Sequence, residues 1–251
     1  MAALRIPVGI IRSATDLNDF QILTTNPKGS YPCQPCQCSL TLKVVINCAM
    51  SADGKIALRT RKQTNISNEQ DKKRVHRLRN ASDAILVGIE TVLTDDPKLT
   101  VNGKYVKKPR KPMRIVLDSQ GRTPKNAMVL NGAAKTIIVT SMKCRKTFPN
   151  AETIRCGKND IDLKRFVSML ERMGVRSLLV EGGSRVIWSF LKSRIADEVS
   201  IFVGSVVIGG EKSPTPAGGP GAPDEDSMVE LRLKDARVLG DGVLLKYEVV
   251  K

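Results

Sequence analysis

Residues 177–191, SLLVEGGSRVIWSFL, restrict the fold of this chain more than any other stretch. Residues 178–180 are wholly apolar and fit a strand buried on both faces of a parallel sheet. Gly182 and Gly183 follow, and from Ser184 the apolar residues recur with the period of a helix, which Ser184 is expected to cap. A strand, paired glycines and a helix N-terminus form a phosphate cradle, because amide groups and the helix dipole face one anion. An ordinary strand-to-helix turn is the alternative, and Glu181 at the strand end favours a site.

Short apolar runs alternate with segments of helical period through most of the chain. Strands are predicted at residues 42–48, 84–87, 114–117, 136–140, 153–155, 178–180, 198–203, 206–208, 228–239 and 243–250. Helices are predicted at residues 68–80, 162–173 and from 184 onward, with a short helix or turn after Gly88. A turn is expected at residues 49–55 and a long loop at residues 211–227. This order predicts an α/β fold: a mostly parallel central sheet with helices on both faces and an antiparallel C-terminal edge.

The length and composition of the chain suit a globular protein with one large core or two small ones. It has 251 residues, of which 41% are hydrophobic and 26% charged. Regular patterns begin near Leu40, so we expect residues 1–39 to be an extension of unknown role and residues 40–251 to form one domain. No apolar run of the sequence is long enough to span a bilayer, and the N-terminus lacks a secretory signal, so a cytoplasmic location is expected.

The formal net charge of +16 requires an explanation, and lysines and arginines concentrate at residues 59–79 and 104–114. Nucleic acid is the usual partner of so basic a chain. Aromatic residues make up only 4%, however, so stacking platforms for bases are scarce, and the sequence has no recognised nucleic-acid-binding motif. We therefore expect neither a nucleic acid nor a membrane partner. We expect some of the basic residues to bind an anionic substrate and an anionic cofactor, and the others to lie on the solvated surface.

Six cysteines and one histidine limit the metal chemistry of the chain. Cys33, Cys36 and Cys38 have a spacing that binds zinc in some proteins, but a second pair of ligands is missing. The same cluster contains half of the zinc deaminase signature. The other half, H-x-E, is absent because Leu78 stands where the glutamate would follow His76. No metal site is therefore predicted.

Polar residues follow three of the predicted strands, at residues 88–96, at Asp118-Ser119 and at residues 181–185. Because the carboxyl ends of neighbouring parallel strands meet at one edge, these residues are expected to line one crevice. Each stretch taken singly also fits a structural role, such as a helix end at Asp95 and Asp96. The sequence offers no Ser-His-Asp set and no activated cysteine. A cofactor that carries the chemistry itself, such as a nicotinamide, therefore suits this crevice.

Five segments of the chain resemble the riboflavin-pathway pyrimidine reductases, from about Leu40 to the C-terminus. They are NCAMSADGKIA at 47–57, DAILVGIETVLTDDPKLTV at 83–101, RIVLDS at 114–119, LLVEGG at 178–183 and ADEVSIFV at 196–203. The combination of GxxTVLxDDPxLT with the later EGG is specific, whereas either motif alone is weak. The resemblance is strongest to the stand-alone archaeal and fungal type, which acts on 2,5-diamino-6-ribosylamino-4(3H)-pyrimidinone 5′-phosphate.

This resemblance implies a dihydrofolate-reductase-like fold, a homodimer, and reduction of the ribosyl group of that pyrimidine to a ribitylamino group by hydride transfer to C1′. NADPH is the implied donor, with NADH as a second candidate. Cofactor contacts are implied for Met50, Ser67, Gly88, Thr91, Asp95, Ser119, Gly182, Gly183, Ser184 and Arg185. Substrate contacts are implied for Asn47, Arg79, Leu99, Asn102 and Glu181. Asp95 and Glu181 are the implied catalytic residues, with Asp95 near the nicotinamide and Glu181 on the polar edge of the pyrimidine.

Two residues depart from the pattern of that family, and two other functions stay open. Glu90 stands where a small residue is common, and Asn65 where bacterial relatives often have tryptophan. The first alternative is a reductase of the deaminated pyrimidine or of another pteridine- or folate-like substrate. The second is a basic nucleic-acid-binding module, which cofactor binding would separate from either reductase.

Overall fold

The computed structural model describes residues 41–61 and 64–251. The predicted N-terminal extension at residues 1–39, including Cys33, Cys36 and Cys38, lies outside the described residues.

The described residues form nine strands, four α-helices and one short 3-10 helix, Met128–Leu130. The strands are β1 (Lys43–Ser51), β2 (Ala84–Gly88), β3 (Met113–Leu117), β4 (Thr136–Thr140), β5 (Glu152–Arg155), β6 (Ser177–Val180), β7 (Glu198–Gly204), β8 (Leu231–Leu239) and β9 (Gly242–Val249). The helices are α1 (Glu69–Ala81), α2 (Ile89–Asp95), α3 (Leu163–Arg172) and α4 (Ser184–Lys192). None of these helices is both long and apolar enough to cross a membrane.

The strands form a single sheet in the order β5-β4-β3-β2-β6-β1-β7-β9-β8. The pairs from β5 to β7 are parallel, whereas β9 pairs with β7 and β8 in an antiparallel manner. β8 and β9 are joined by a tight turn at Gly240, whose φ of +69° is open to glycine at little cost. The predicted mostly parallel sheet with an antiparallel C-terminal edge is confirmed.

Both faces of the sheet are covered, which explains why its central strands read as unbroken apolar runs. In β2, Leu86 packs with Phe166 of α3 and Phe190 of α4 in one core cluster. The next residue, Val87, belongs to a second cluster on the opposite face, together with Val92 of α2. The prediction of helices on both faces is therefore confirmed.

Helix α1 is fastened to the sheet by a buried polar network rather than by a broad apolar face. The Asn68 side chain caps α1 by accepting the amide hydrogen of Asp71 at 2.8 Å. Asp71 is fully buried and accepts a hydrogen bond from Arg74 Nε at 2.7 Å. Arg74 in turn donates to Asn47 Oδ1 of β1 and to Ser200 Oγ of β7. This network fixes the position of α1 over the carboxyl half of the sheet.

Two predicted boundaries around β1 and β7 are wrong. Residues 49–51 were expected in a turn, but they extend β1 because they pair with residues 202–204 of β7. Residues 206–208 were expected to form a strand, and they form a loop instead. The carboxylate of Asp53 accepts the amide hydrogens of Ile208 and Gly209, at 3.0 and 2.7 Å. These bonds use backbone donors that a sheet ladder would need.

Two further expectations fail at element ends. Ser184 is not the N-cap of α4: Gly183 occupies that position, without a side-chain cap, and Ser184 is the first helical residue. The backbone of Ser184 instead accepts a hydrogen bond from the amide of Gly218, at 3.2 Å. The strand expected from residue 228 begins at Leu231, because its pairing with β9 starts there, opposite Val249.

Candidate active-site cleft

A cleft of about 1170 Å³ opens where β1, β2, β3 and β6 end, between α1, α2 and α4. Most of the predicted site residues line it: Ser67, Arg79, Gly88, Thr91, Asp95, Glu181, Gly182, Gly183, Ser184 and Arg185. Ordinary ligand sites measure about 300–1,000 Å³, so this cleft has room for a dinucleotide and a second small molecule.

A glycine-lined cradle lies at the centre of the cleft, where β2 and β6 end side by side. The amide of Gly88 donates to the carbonyl oxygen of Gly182 at 2.7 Å, which joins the two strand ends. A Cβ at Gly88 would lie 2.7 Å from Val186 Cγ2, and Gly182 has a φ of +116°. A Cβ at Gly183 would lie 3.3 Å from Thr91 Oγ1. Only glycine therefore fits this close approach without a shift of its neighbours.

The cradle carries the donors that an anion needs. Among the described residues, the amides of Ser184 and Arg185 at the start of α4 have no backbone acceptor, whereas those of Val186 and Ile187 donate to the Gly183 carbonyl oxygen. The helix dipole adds positive potential there. Thr91 presents a hydroxyl beside Gly183, and Arg185 stands exposed in the first turn of α4. These residues fit a pyrophosphate group, as the strand-glycine-helix pattern indicates.

Asp95 lies one helical turn after Thr91 on α2, so both side chains share one side of the helix. Its carboxylate is exposed to the cleft, and partial desolvation by the surrounding protein raises its pKa above the ordinary value. No side-chain hydrogen bond or ion pair to Asp95 occurs within the described part of the chain. The neighbouring Asp96 has a structural role instead, because it ends α2 and accepts the amide hydrogen of Met128 at 2.7 Å.

Glu181 forms a bidentate ion pair with Arg79 across the cleft floor. Arg79 Nε and Nη2 donate to the two carboxylate oxygens, each at 2.8 Å, and Arg79 Nη1 donates to the carbonyl oxygen of Thr100 at 3.2 Å. The side chains are only 10% and 20% exposed for Glu181 and Arg79. Burial alone would lower the pKa of Arg79, but the charge and hydrogen bonds of Glu181 raise it. The two hydrogen bonds hold the pair in one orientation.

His76 also lines the cleft, and the sequence analysis did not assign it to the site. Its Nδ1 accepts the amide hydrogen of Asn102 at 3.1 Å, and its ring stacks on Tyr105 with centroids 5.0 Å apart. Desolvation, and then the charge of Arg79, lower the pKa of His76, although Glu181 opposes the shift. His76 and Arg79 are three residues apart on a predicted helix, so they share one face of it. This spacing could have assigned His76 to the same site as Arg79.

The other predicted contacts do not line the cleft in this structure: Asn47, Met50, Leu99, Asn102 and Ser119. Asn47 is buried and accepts a hydrogen bond from Arg74, and Leu99 is buried in the core cluster that contains Val92. Asn102 is exposed next to His76.

The carboxyl end of β3 reaches the cleft through Leu117, but Asp118 and Ser119 do not line it, so the predicted cofactor contact of Ser119 stays a prediction. Asp118 is fully buried and accepts hydrogen bonds from the Thr123 amide and hydroxyl, both at 2.7 Å. The carbonyl oxygen of Ser119 accepts from Ser141. These bonds fix the turn after β3, and the residues on either side of the turn, Leu117 and Arg122, line the cleft.

A long loop and a surplus of basic side chains complete the walls of the cleft. The predicted loop at residues 211–227 lies against α4, and Gly218 donates its amide hydrogen to Ser184. The cations that line the cleft are Lys55, Arg61, Lys72, Arg79, Arg122, Arg185 and Lys212, and the acids are Glu90, Asp95, Glu181 and Glu211. The surplus of cations favours an anionic ligand. Desolvation raises the pKa of the Cys48 thiol to about 12, so this cleft residue is not an activated nucleophile.

The family model for the RibD C-terminal domain matches residues 42–245 of this chain. The chain belongs to the RibD C-terminal domain family. The matched residues include every strand and helix described above except the C-terminal half of β9, residues 246–249, so the whole cleft is built from residues of this domain.

Two archaeal members of the RibD C-terminal domain family match most of the chain. A protein of Methanothermobacter thermautotrophicus is 37% identical over 211 residues, which cover 82% of this chain and 97% of the relative. A protein of Archaeoglobus fulgidus is 39% identical, with 79% of this chain and 94% of the relative covered. Both carry the name 2,5-diamino-6-ribosylamino-4(3H)-pyrimidinone 5′-phosphate reductase.

Solved structures of RibD relatives share this fold. A Thermotoga maritima deaminase/reductase is 26% identical with a TM-score of 0.69; the match covers 84% of this chain and 58% of that protein. The Saccharomyces cerevisiae riboflavin biosynthesis reductase is 23% identical with a TM-score of 0.64. That match covers 84% of this chain and 91% of the yeast protein. The predicted dihydrofolate-reductase-like fold is confirmed by these neighbours.

Proposed function

We propose that this chain reduces the ribosyl group of 2,5-diamino-6-ribosylamino-4(3H)-pyrimidinone 5′-phosphate to a ribitylamino group, with NADPH as the hydride donor. The observation that carries the proposal is one cleft in which a glycine cradle and a nearly buried ion pair lie side by side. The glycine cradle of Gly88, Gly182 and Gly183 suits a pyrophosphate, and the Arg79–Glu181 pair lies beside it at the end of β6. The names of the archaeal relatives supply the substrate.

The residues of the cleft fit a nicotinamide dinucleotide. The cradle would hold its pyrophosphate through α4 amides, Thr91 and Arg185, and the cofactor contacts of Ser67, Gly88 and Ser184 belong to the same surface. A bound nicotinamide would supply the hydride that the chain's own side chains cannot supply. Contacts from Met50 and Ser119, which do not line the cleft, stay predictions.

The substrate would bind against α1 and Glu181. The Glu181 carboxylate accepts hydrogen bonds, so it suits the amino and ring N–H groups on the polar edge of a diaminopyrimidine. Arg79 orients that carboxylate through two hydrogen bonds, and Asn102 lies next to His76. The substrate contacts of Asn47 and Leu99 stay predictions, and both side chains are buried in this structure.

Asp95 is the proposed proton-handling residue. When the ribose ring opens, the C1′–O bond breaks, the ring oxygen takes a proton, and the pyrimidine-side nitrogen donates its electron pair to form a C1′=N bond. Hydride addition at C1′ then returns that pair to nitrogen. A carboxyl with a raised pKa holds a proton closer to neutral pH than an ordinary aspartate, which suits it to this transfer. Holding the reacting carbons together in a closed cleft would supply several kcal/mol more, about 7–11 at the upper limit.

The test is cofactor oxidation with each pyrimidine offered in turn. We expect turnover with the diamino substrate and NADPH, slower turnover with NADH, and a product that has gained two hydrogen atoms. Turnover with only the deaminated pyrimidine, or with a pteridine or folate, would replace the substrate assignment. Tight binding of RNA or DNA without any affinity for the cofactor would contradict the whole proposal and favour the nucleic-acid-binding alternative. A homodimer and a cytoplasmic location are part of the same proposal, and sedimentation of the purified chain tests the first.

A further inference from the structure

Helix α1 and the segment at residues 100–111 form one continuous face outside the cleft. The hydroxyl of Tyr105 donates to Glu69 Oε2 at 2.9 Å, near the start of α1. The backbone amide of Arg110 donates to Asn80 Oδ1 at 2.7 Å, near the end of the same helix. The segment therefore runs along α1, and the exposed side chains of the two elements lie next to one another.

This face carries a dense group of cations that the proposed reaction does not use. Five of them are exposed and form no ion pair within residues 41–61 and 64–251, and we call these five the basic surface: Lys73, Arg77, Lys107, Lys108 and Lys111. Lys73 and Arg77 stand one helical turn apart on α1, a spacing at which like charges destabilise a helix. A surface that keeps this repulsion suits an anion that neutralises it.

The acidic side chains on this face are engaged by other cations. Glu69 Oε2 lies 3.7 Å from Lys104 Nζ, and Asp83 Oδ1 lies 3.1 Å from Arg110 Nη2. These pairs leave the charge of the basic surface uncompensated. It accounts for part of the net charge of +16 that the sequence analysis left without a specific role.

The basic surface borders the cleft on the side of the Arg79–Glu181 pair. His76 lines the cleft, and Tyr105 stacks on its outer side with ring centroids 5.0 Å apart. Lys104 Nζ lies 5.2 Å from the centroid of the Tyr105 ring, so the cationic segment begins one ring away from the cleft wall. The five cations themselves do not line the cleft. Any effect they have on a ligand in the cleft must therefore act through their electric field.

We propose that the basic surface steers the phosphate dianion of the substrate into the cleft. The proposal rests on the proposed function, which places the pyrimidine phosphate on this side. A cluster of one charge beside a cleft raises the local concentration of the opposite charge, and such fields increase association rates by about 10–10³-fold. The field reaches about 30 Å in 0.01 M salt and about 10 Å in 0.1 M salt, so the steering weakens as salt is added. Charges outside the bound complex change association much more than dissociation.

Stopped-flow fluorescence tests the proposal, because Trp188 lines the cleft and is the single tryptophan of the sequence. The probes are the diaminopyrimidine ribosyl phosphate and the same nucleoside without its phosphate. In the Lys107→Gln/Lys108→Gln/Lys111→Gln protein we expect the association rate constant of the phosphate to fall about fivefold in 0.01 M salt. Its dissociation rate constant should stay within about twofold, and the difference in association should disappear near 0.5 M salt. Association of the uncharged nucleoside should not change.

Steady-state kinetics supply a second measurement. Because kcat/KM is proportional to the association rate constant, it should fall by the same factor in the triple variant while kcat stays the same. The matched control is Lys143→Gln/Lys158→Gln/Lys164→Gln, which removes the same charge from exposed residues of other elements that do not line the cleft. It should leave kcat/KM within about twofold of the unmodified protein, because these charges lie away from the entrance.

The outcomes separate this inference from the proposed function. An unchanged kcat/KM in the Lys107/Lys108/Lys111 variant, or an equal loss in the control, would overturn the steering and leave the reductase intact. Faster dissociation with unchanged association would also overturn it, because it would show that these lysines contact the bound phosphate. Absence of pyrimidine binding and of cofactor oxidation in the unmodified protein would remove the proposed function and this inference together.

Discussion

Arg79 on α1 and Glu181 at the end of β6 are joined by two hydrogen bonds of 2.8 Å each. They are 102 residues apart in the chain, and the polar network that anchors α1 brings them together. The pair gives the cleft a charged acceptor of fixed orientation next to a glycine cradle. The predictions below test the parts of this arrangement separately.

Replacing Glu181 tests the substrate side of the cleft. Glu181→Gln keeps the shape but loses the charge that Arg79 needs, so we expect the KM for the pyrimidine to rise about tenfold or more. The dissociation constant of NADPH, measured by fluorescence titration, should change little. Because a partly buried arginine loses its counter-ion, the melting temperature should also fall. An unchanged pyrimidine KM would remove Glu181 from the substrate site.

Replacing Asp95 tests the proton-handling step. Asp95→Asn should lower kcat about 10²-fold or more, which is the ordinary contribution of a positioned acid or base. NADPH binding should stay within about threefold, since an amide keeps the size and polarity of the side chain. Asp160→Asn, an exposed aspartate away from the cleft, is the control and should behave as the unmodified protein. Normal turnover in Asp95→Asn would exclude Asp95 from the chemistry.

The close approach at Gly88 predicts that an added methyl group destabilises the protein there but not at the open position Gly103. Gly88→Ala places a Cβ 2.7 Å from Val186 Cγ2, so a cost of about 1–3 kcal/mol in unfolding free energy is expected. It should also weaken NADPH binding by displacing the cradle. Gly103→Ala is the matched control, because no heavy atom lies within 4 Å of its Cβ position. Equal stability of the two variants in urea titrations would contradict this reading of the cradle.

The single histidine gives a direct test of the cleft electrostatics. His76 should titrate below its ordinary pKa of about 6.5, because burial and Arg79 both disfavour the imidazolium. The unfolded chain then binds more protons than the folded chain between the two pKa values, so this residue's contribution to stability is lost as pH falls through that window. NMR of the imidazole, with no second histidine in the sequence, measures the pKa. A value above the ordinary one would show that Glu181 outweighs burial.

The sequence was sufficient for those parts of the fold that depend on local patterns. Residues 84–87 are apolar without interruption because Leu86 and Val87 enter cores on opposite faces of the sheet. Asn68 starts α1 through its own side chain, which is a local signal. The motif around Gly182 predicted the cradle for the same reason, since strand, glycines and helix are contiguous in the chain.

Features that depend on distant partners were missed. The extension of β1 through residue 51 requires β7, and the loop at residues 206–208 requires Asp53, more than 150 residues earlier. His76 enters the cleft because α1 is anchored by Arg74 to β1 and β7. Asp118 is buried because Thr123, five residues later, folds back and donates hydrogen bonds to it. The apolar pattern of β3 does not predict this contact.

The transfer of deuterium from labelled NADPH tests the central claim most directly. The reaction would be run with NADPH deuterated at the transferable nicotinamide position and with the diamino pyrimidine phosphate, and the product would be analysed by mass spectrometry and NMR. The account predicts one deuterium at C1′ of a ribitylamino product. Cofactor oxidation without deuterium in the pyrimidine product, or no oxidation with any of the candidate pyrimidines, would contradict it.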